Sequence, residues 1–329
     1  MATEEKGIVR IYSRQSITAL RSGILYCILA VHTLLRFAEP CEGKTPDAGF
    51  SLPEDAKEVR FHYRNYNDLI VLPVTINDSI KVNLILDTGC RNVLLFGKRF
   101  EHILETLPKY DVRFSGLGER PPLTGKLALN NKVSIHTILG KKIPIVILRE
   151  KSIFLGNSNI DGIIGYDIFI RFEVEINSAK KQITFRSPEH AQIQSDHTKV
   201  SLTIEDTRPF VRSKIFFSNS DEASFDMMLD TGSVLGVLIR SNKGNFLNDA
   251  SKQILGKGLN GNVWGTAKWA QKMVLETFVI TIPEVNIYRS DWHSHGSIGM
   301  AIIKDYSLVL NYCKGYVAFK KLKIANSLT

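Results

Sequence analysis

The stretch LILDTGC, Leu84 to Cys90, sets the problem. Its apolar start reads as the end of a buried strand, and Asp-Thr-Gly reads as a tight polar turn. A single turn of this kind is an ordinary way to end a strand. Here LDTG returns at Leu229 to Gly232, placing Asp230 143 positions after Asp87. Three or four letters recur by chance, so the question passes to the flanking sequence.

The flanks repeat as well. IIGYDIFIRFEVEINSAKKQITF (163–185) and SIGMAIIKDYSLVLNYCKGYVAF (297–319) align without a gap when Gly165 is set on Gly299. Asn177 then falls on Asn311, Lys180 on Lys314 and Phe185 on Phe319. Both segments predict a short apolar strand ending in Gly, a short amphipathic helix, a strand, a polar turn and a strand. Upstream, each Asp closes an alternating or apolar strand. Downstream come a second apolar stretch (NVLLF, VLGVLI), a helix-like piece (KRFEHILETL, FLNDASKQIL) and a Gly-rich turn. The polar, aperiodic segment 186–199 predicts a linker between two similar halves.

On these residues the chain resembles aspartic proteases of the pepsin and retropepsin type, most closely the compact, duplicated, exported aspartyl proteases of bacteria. The resemblance runs from about 54 to 320. It implies a mainly β fold of two similar acid-protease lobes (duplicated retropepsin-like β-barrels) with a few short helices. The expected division is 1–45 for an N-terminal segment and linker, 46–190 for the first lobe and 191–329 for the second.

The chemistry accounts for the residue types. Two carboxylates held close together do not both ionise cheaply, so Asp87 and Asp230 are expected to share one proton. The ionised partner activates a water and the protonated one donates to the peptide carbonyl oxygen, with no metal or cofactor required. Gly89 and Gly232 permit the turn that brings backbone N–H groups onto the carboxylates. The resemblance implies that the hydroxyls of Thr88 and Thr231 bond the opposite loop and that Ser233 donates to Asp230. It further implies that Ile163, Ile164 and Gly165, with Ile298 and Gly299, form strands beside the loops. Ser297 stands where that pattern is apolar. Cys90 stands where a hydroxyl is expected, so Asp87 is predicted to have weaker support than Asp230. Flap hairpins are expected at 114–126, with Gly116 and Gly118, and at 256–269, with Trp264 and Trp269 as aromatic contacts to a peptide.

Other motifs carry bland readings. GKGLNG (256–261) matches G-x-G-x-x-G, but a helix-like segment precedes it and no helix pattern follows, so it reads as a helix stop and a turn. His293 and His295 offer two metal ligands without a third and read as a surface loop. The 329 residues carry a formal charge of +9 with Lys and Arg scattered, without a basic run interleaved with aromatics. Nucleic-acid binding is therefore not expected. The four cysteines, Cys27, Cys41, Cys90 and Cys313, show no CxxC spacing, and no disulfide is predicted.

At the N-terminus, Arg10, Arg14 and Arg21 precede an uncharged apolar run, 22–35, predicted to be an apolar helix. The run is short for a membrane span of about 20 residues and fits an export signal or a retained anchor. The protein is thus expected in the cell envelope, tethered through this segment if it is not cleaved, with a monomeric catalytic unit and a peptide or protein substrate. The rival expectation is a catalytically silent acid-protease-fold protein that binds peptides.

Overall fold

The computed structural model describes residues 47–104, 110–150, 159–218, 221–241, 252–282, 284–289 and 295–323. The N-terminal apolar segment with Arg10, Arg14, Arg21, Cys27 and Cys41 lies outside the described residues, as do most of FLNDASKQIL and His293. Among the described residues no helix is long and apolar enough to cross a membrane.

The described chain is mainly β, with three sheets of nine, six and ten strands among these residues. Two stretches of strand run through the centre of the nine-stranded sheet. Ile80–Leu86 pairs with Leu69–Ile76 on one side and with Gly162–Ile164, in parallel, on the other. Val93–Phe96 lies beyond Gly162–Ile164 and pairs in parallel with Ile138–Leu148. All four residues of Val93–Phe96 are buried, as expected of a strand covered on both faces.

The ten-stranded sheet has the same pairings. Glu222–Asp230 pairs antiparallel with Arg208–Phe216 and parallel with His295–Gly299. Val237–Ser241 lies beyond His295–Gly299 and pairs in parallel with Glu284–Arg289. Each sheet also carries a long hairpin, Tyr110–Phe114 with Leu123–Ile135 in one and Gln253–Gly258 with Gly261–Trp269 in the other. Arg208–Phe216 and Glu222–Asp230 alternate buried and more exposed positions, the signature of strands with one solvated face.

The repeated segments 163–185 and 297–319 form the elements their pattern predicts. Short helices, Tyr166–Phe169 and Met300–Ile303, lead into the hairpins Glu173–Asn177 with Gln182–Arg186 and Tyr306–Asn311 with Tyr316–Lys321. The equivalent asparagines close the turns identically: Asn177 Oδ1 accepts from Lys180 N–H at 3.1 Å, and Asn311 Oδ1 from Lys314 N–H at 2.9 Å. The two hairpins join edge to edge through Glu173–Asn177 and Tyr306–Asn311 at the centre of the six-stranded sheet.

Two expectations are overturned here. Lys98–Leu104 is a 3₁₀ helix, but the described end of the second helix-like piece belongs to strand Gln253–Gly258. GKGLNG is therefore preceded by a strand and forms a hairpin tip, because cross-strand pairing with Gly261–Trp269 outweighs local helix preference. Cys313 is disulfide-bonded, with its partner outside the described residues, so the expectation of no bridge fails there; Cys90 is a free, buried thiol.

The six-stranded sheet buries a charge. Glu173 is fully buried; its Oε2 accepts from the Tyr316 hydroxyl and, at 3.3 Å, from Asn311 Nδ2. Arg186, opposite Glu173 in the sheet, places Nη1 3.5 Å from its Oε1 and also binds Glu175 at 2.6 Å and Glu58 at 2.8 Å. Removing one partner of a buried ion pair strands the other charge, at about 3–5 kcal/mol. Arg186→Met is expected to cost that much in urea unfolding, with part of the loss recovered by adding Glu173→Gln. A loss below about 1 kcal/mol would show that the cluster is not stabilising in this way.

Candidate active site

Asp87 follows strand Ile80–Leu86 directly, and its N–H donates to Ile164 O at 2.8 Å. Asp230 ends strand Glu222–Asp230 and pairs with Gly299. Both loops turn back at once: Cys90 N–H donates to Asp87 O at 3.2 Å and Ser233 N–H to Asp230 O at 3.3 Å. The helix starts then clamp the loops, with Tyr166 N–H donating to Cys90 O at 2.9 Å and Met300 N–H to Ser233 O at 2.8 Å. Gly165 is required beneath its loop, since a Cβ there would collide with the carbonyls of Asp87 and Cys90.

The structure brings the two loops together through their threonines. Thr88 and Thr231 are fully buried. Thr88 Oγ1 donates to Leu229 O at 2.5 Å and accepts from Thr231 N–H at 3.0 Å. Thr231 Oγ1 donates to Leu86 O at 2.8 Å and accepts from Thr88 N–H at 3.1 Å. Each hydroxyl thus bridges two backbone groups of the opposite loop. Gly89 N–H donates to Asp87 Oδ1 at 2.7 Å, and Gly232 N–H to Asp230 Oδ1 at 3.1 Å. The loops interpenetrate closely enough that a Cβ on Gly232 would strike the carboxylate of Asp87.

The electrostatics follow from this burial. Asp87 is raised to about 6, first by desolvation, against the pull of the Gly89 N–H and the charge of Arg208. Asp230 is raised to about 7 by desolvation and then by the charge of Asp87, against Gly232 N–H, Arg240 and Arg208. The two titrate together, and both shifts favour a proton held between them.

The residues following the glycines depart from expectation. The Cys90 thiol donates to Asn92 O at 3.1 Å, and the Ser233 hydroxyl accepts from Leu235 N–H at 3.2 Å. Among the described residues the hydrogen bonds to the carboxylates come from Gly89 and Gly232 alone. Both side chains satisfy nearby backbone groups within the turn, a local competition that the motif letters do not reveal. Burial and the charges of Asp87 and Asp167 push the Cys90 thiol well up, which keeps it neutral. Ser297 is buried between Met228 and Leu238 in the sheet.

The expected hairpins meet at their tips. Asn260, only 2 % exposed, accepts from Gly116 N–H through Oδ1 at 2.5 Å and donates from Nδ2 to Pro121 O at 2.5 Å. Its backbone N–H donates to Leu117 O at 3.0 Å, and its carbonyl accepts from Arg120 N–H at 2.8 Å. Gly118, at φ +131, passes against the backbone of Asn260. Trp264 is half-buried within strand Gly261–Trp269, whereas Trp269 is 77 % exposed and opposes Glu284 at the strand's far end.

Sequence reasoning missed several neighbours of the two loops. Arg208 Nε donates to Gly89 O at 3.2 Å. Asp167 carries a buried Oδ2 with no hydrogen-bond partner among the described residues and is raised to about 7, chiefly by desolvation. The Tyr312 hydroxyl is likewise buried and unpartnered, and burial together with the charge of Asp87 pushes it well up. Arg208 and Asp167 left a signal, since each is charged where its equivalent in the other half, Leu69 or Ala301, is apolar.

The threonine bridge makes a prediction. Thr88→Val removes one donor and one acceptor from buried partners, at about 1–3 kcal/mol for each group left unsatisfied. Thr88→Ser is expected to retain most of that stability. In a double-mutant cycle of unfolding free energies, Thr88→Val and Thr231→Val are expected to couple by more than about 0.5 kcal/mol; additive losses would break the reciprocal reading.

No curated protein matches the chain. Residues 72–168 match the aspartyl protease family model, a span that contains the first Asp-Thr-Gly loop, the first hairpin and the strand Gly162–Ile164 beside the loop.

Proposed function

We propose that this protein is an aspartic endopeptidase whose two carboxylates, Asp87 and Asp230, come one from each of two duplicated acid-protease lobes, 46–190 and 191–329. The observation that carries this reading is the reciprocal bonding of Thr88 and Thr231, which places two Asp-Thr-Gly loops back to back with their glycines against the carboxylates. The recurrence of the strand pairings on both sides and the family match over 72–168 support it further.

In the proposed reaction the pair holds one proton. The ionised carboxylate takes a proton from a water, whose oxygen attacks the peptide carbonyl carbon, and the protonated carboxylate donates to the carbonyl oxygen. Collapse of the resulting diol breaks the C–N bond as a proton passes to the leaving amine. The hairpins joined at Asn260 act as the flaps that cover a bound peptide, with Gly116 and Gly118 on one and Trp264 on the other. The N-terminal segment exports or tethers the catalytic unit in the cell envelope. A silent peptide-binding protein is the rival reading, but the departures that motivated it leave the carboxylates alone: Cys90 turns to Asn92, and Ser297 packs within its sheet.

The test is cleavage of a diverse peptide pool across pH, with and without a pepstatin-type inhibitor. Wild type is expected to cleave, and Asp87→Asn and Asp230→Asn each to lose at least about a thousandfold. Peptide binding with no cleavage at any pH would favour the silent protein. Activity is expected to fall as pH rises past about 7, where the pair loses its shared proton. The same shifts have a stability consequence. Folding favours the protonated form, a contribution present below about 4 and lost as pH rises through about 6 and 7. Asp230→Asn is therefore expected to gain stability relative to wild type between those limits, read as a rising difference in urea midpoint.

A further inference from the structure

Two arginines flank the carboxylates without being part of the proton chemistry. Arg208 begins strand Arg208–Phe216; its Nε donates to Gly89 O at 3.2 Å and its Nη1 lies 3.3 Å from Asp206 Oδ2. Arg240 approaches from strand Val237–Ser241. Val237 and Ile239 of that strand are buried in the main core, so alternation turns Leu238 and Arg240 to the other face. On that face the charge of Arg240 interacts with those of Arg208 and Asp230 and with Tyr288, its partner in the sheet.

Arg240 is poorly compensated there. It is half-buried, and among the described residues it makes neither a hydrogen bond nor an ion pair. A guanidinium carries five donors, and withdrawing them from water beside a second cation is unfavourable unless an acceptor arrives. Its neighbour Arg208 spends one donor on a carbonyl and is only partly engaged by Asp206. The equivalent positions in the nine-stranded sheet are apolar. Val71 opposite Ile85 corresponds to Phe210 opposite Met228, which sets Leu69 against Arg208. The parallel pairs of Val93 with Ile145 and Val237 with Val285 set Phe96 against Arg240. Leu69 and Phe96 are both buried. At these two pairs of equivalent positions the cations lie in the ten-stranded sheet.

We propose that Arg240, with Arg208 beside it, forms a subsite for a carboxylate of the substrate, so that the enzyme selects peptides bearing an acidic group on one side of the bond it cuts. Carboxylate and guanidinium match as planar forks with two parallel N–H···O bonds. Because the apolar counterparts cannot make this contact, the same subsite sets the direction in which a peptide lies across the carboxylates. The inference rests on the peptidase reading, and the two fail in different experiments.

The experiment uses twin peptides that differ only by Glu or Gln, placed in turn at each of the positions flanking the cleaved bond, each with a free or an amidated C-terminus. Wild type is expected to favour the Glu twin by about tenfold in kcat/KM at positions on one side only, mostly through KM, as one charge-assisted pair supplies. The Glu-to-Gln ratio is expected to collapse towards one in Arg240→Gln and to turn in favour of a Lys twin in Arg240→Glu. If preference follows the free C-terminus rather than the Glu, the carboxylate recognised is the terminal one and the subsite stands. Wild-type ratios within about twofold at every position, or a preference that survives Arg240→Gln, would overturn it. If wild type cleaves none of the twins, the peptidase reading is the one that fails. The subsite is then judged by fluorescence anisotropy on Asp87→Asn protein: a Glu preference lost in Asp87→Asn/Arg240→Gln upholds it, and equal or absent binding of the twins refutes it.

Discussion

The site depends on four hydrogen bonds. Two threonine hydroxyls, each fully buried, donate to a carbonyl and accept from an N–H of the opposite loop. Neither loop could satisfy these backbone groups alone, and a buried unsatisfied polar group costs as much as a well-made hydrogen bond contributes. Each half therefore completes the other. The consequence reaches the carboxylates, because Asp87 and Asp230 immediately precede the threonines and move only with them. Gly89 and Gly232 let the two turns approach without side chains between them.

From that constraint the electrostatics follow. Two acidic groups withdrawn from water and set beside one another resist ionisation, and the N–H groups of the glycines limit that resistance. The arginines act on the same balance from one side. Arg208 touches the backbone of the first loop, and Arg240 stands in the second sheet with no hydrogen-bond acceptor among the described residues. The carboxylates are matched by their loops, whereas their surroundings are not. The asymmetry expected from Cys90 and Ser233 is absent, since both side chains serve their own turns. It lies instead in the charged residues that replace Leu69 and Phe96.

Much of this architecture was legible in the linear pattern. The repeat of LDTG, the gapless match of 163–185 with 297–319 and the Gly-rich turns located the loops, the strands beside them and the paired hairpins. Such features are local or periodic, and their physical causes act within a few residues: a strand alternates, an Asn closes a turn, a Gly permits a close approach. What was misread depended on partners beyond the few neighbouring residues, in one case across a hairpin and in the other across much of the chain. The stretch 253–255 looked helical until its strand paired with Gly261–Trp269. The tips of the two hairpins meet through Asn260, whose contacts at 116 and 121 lie about 140 positions away.

The sequence by itself determined that two Asp-Thr-Gly turns end apolar strands in matched surroundings, because turn chemistry and hydrophobic period are written in neighbouring residues. The tertiary structure decided which groups face the carboxylates. Cys90 turned aside, Arg208 and Arg240 turned in, and the Asp167 Oδ2 and the Tyr312 hydroxyl were left buried with no hydrogen-bond partner among the described residues. The orientation of a side chain is settled by packing and by the nearest unsatisfied backbone group, and both exist only once distant strands have come together.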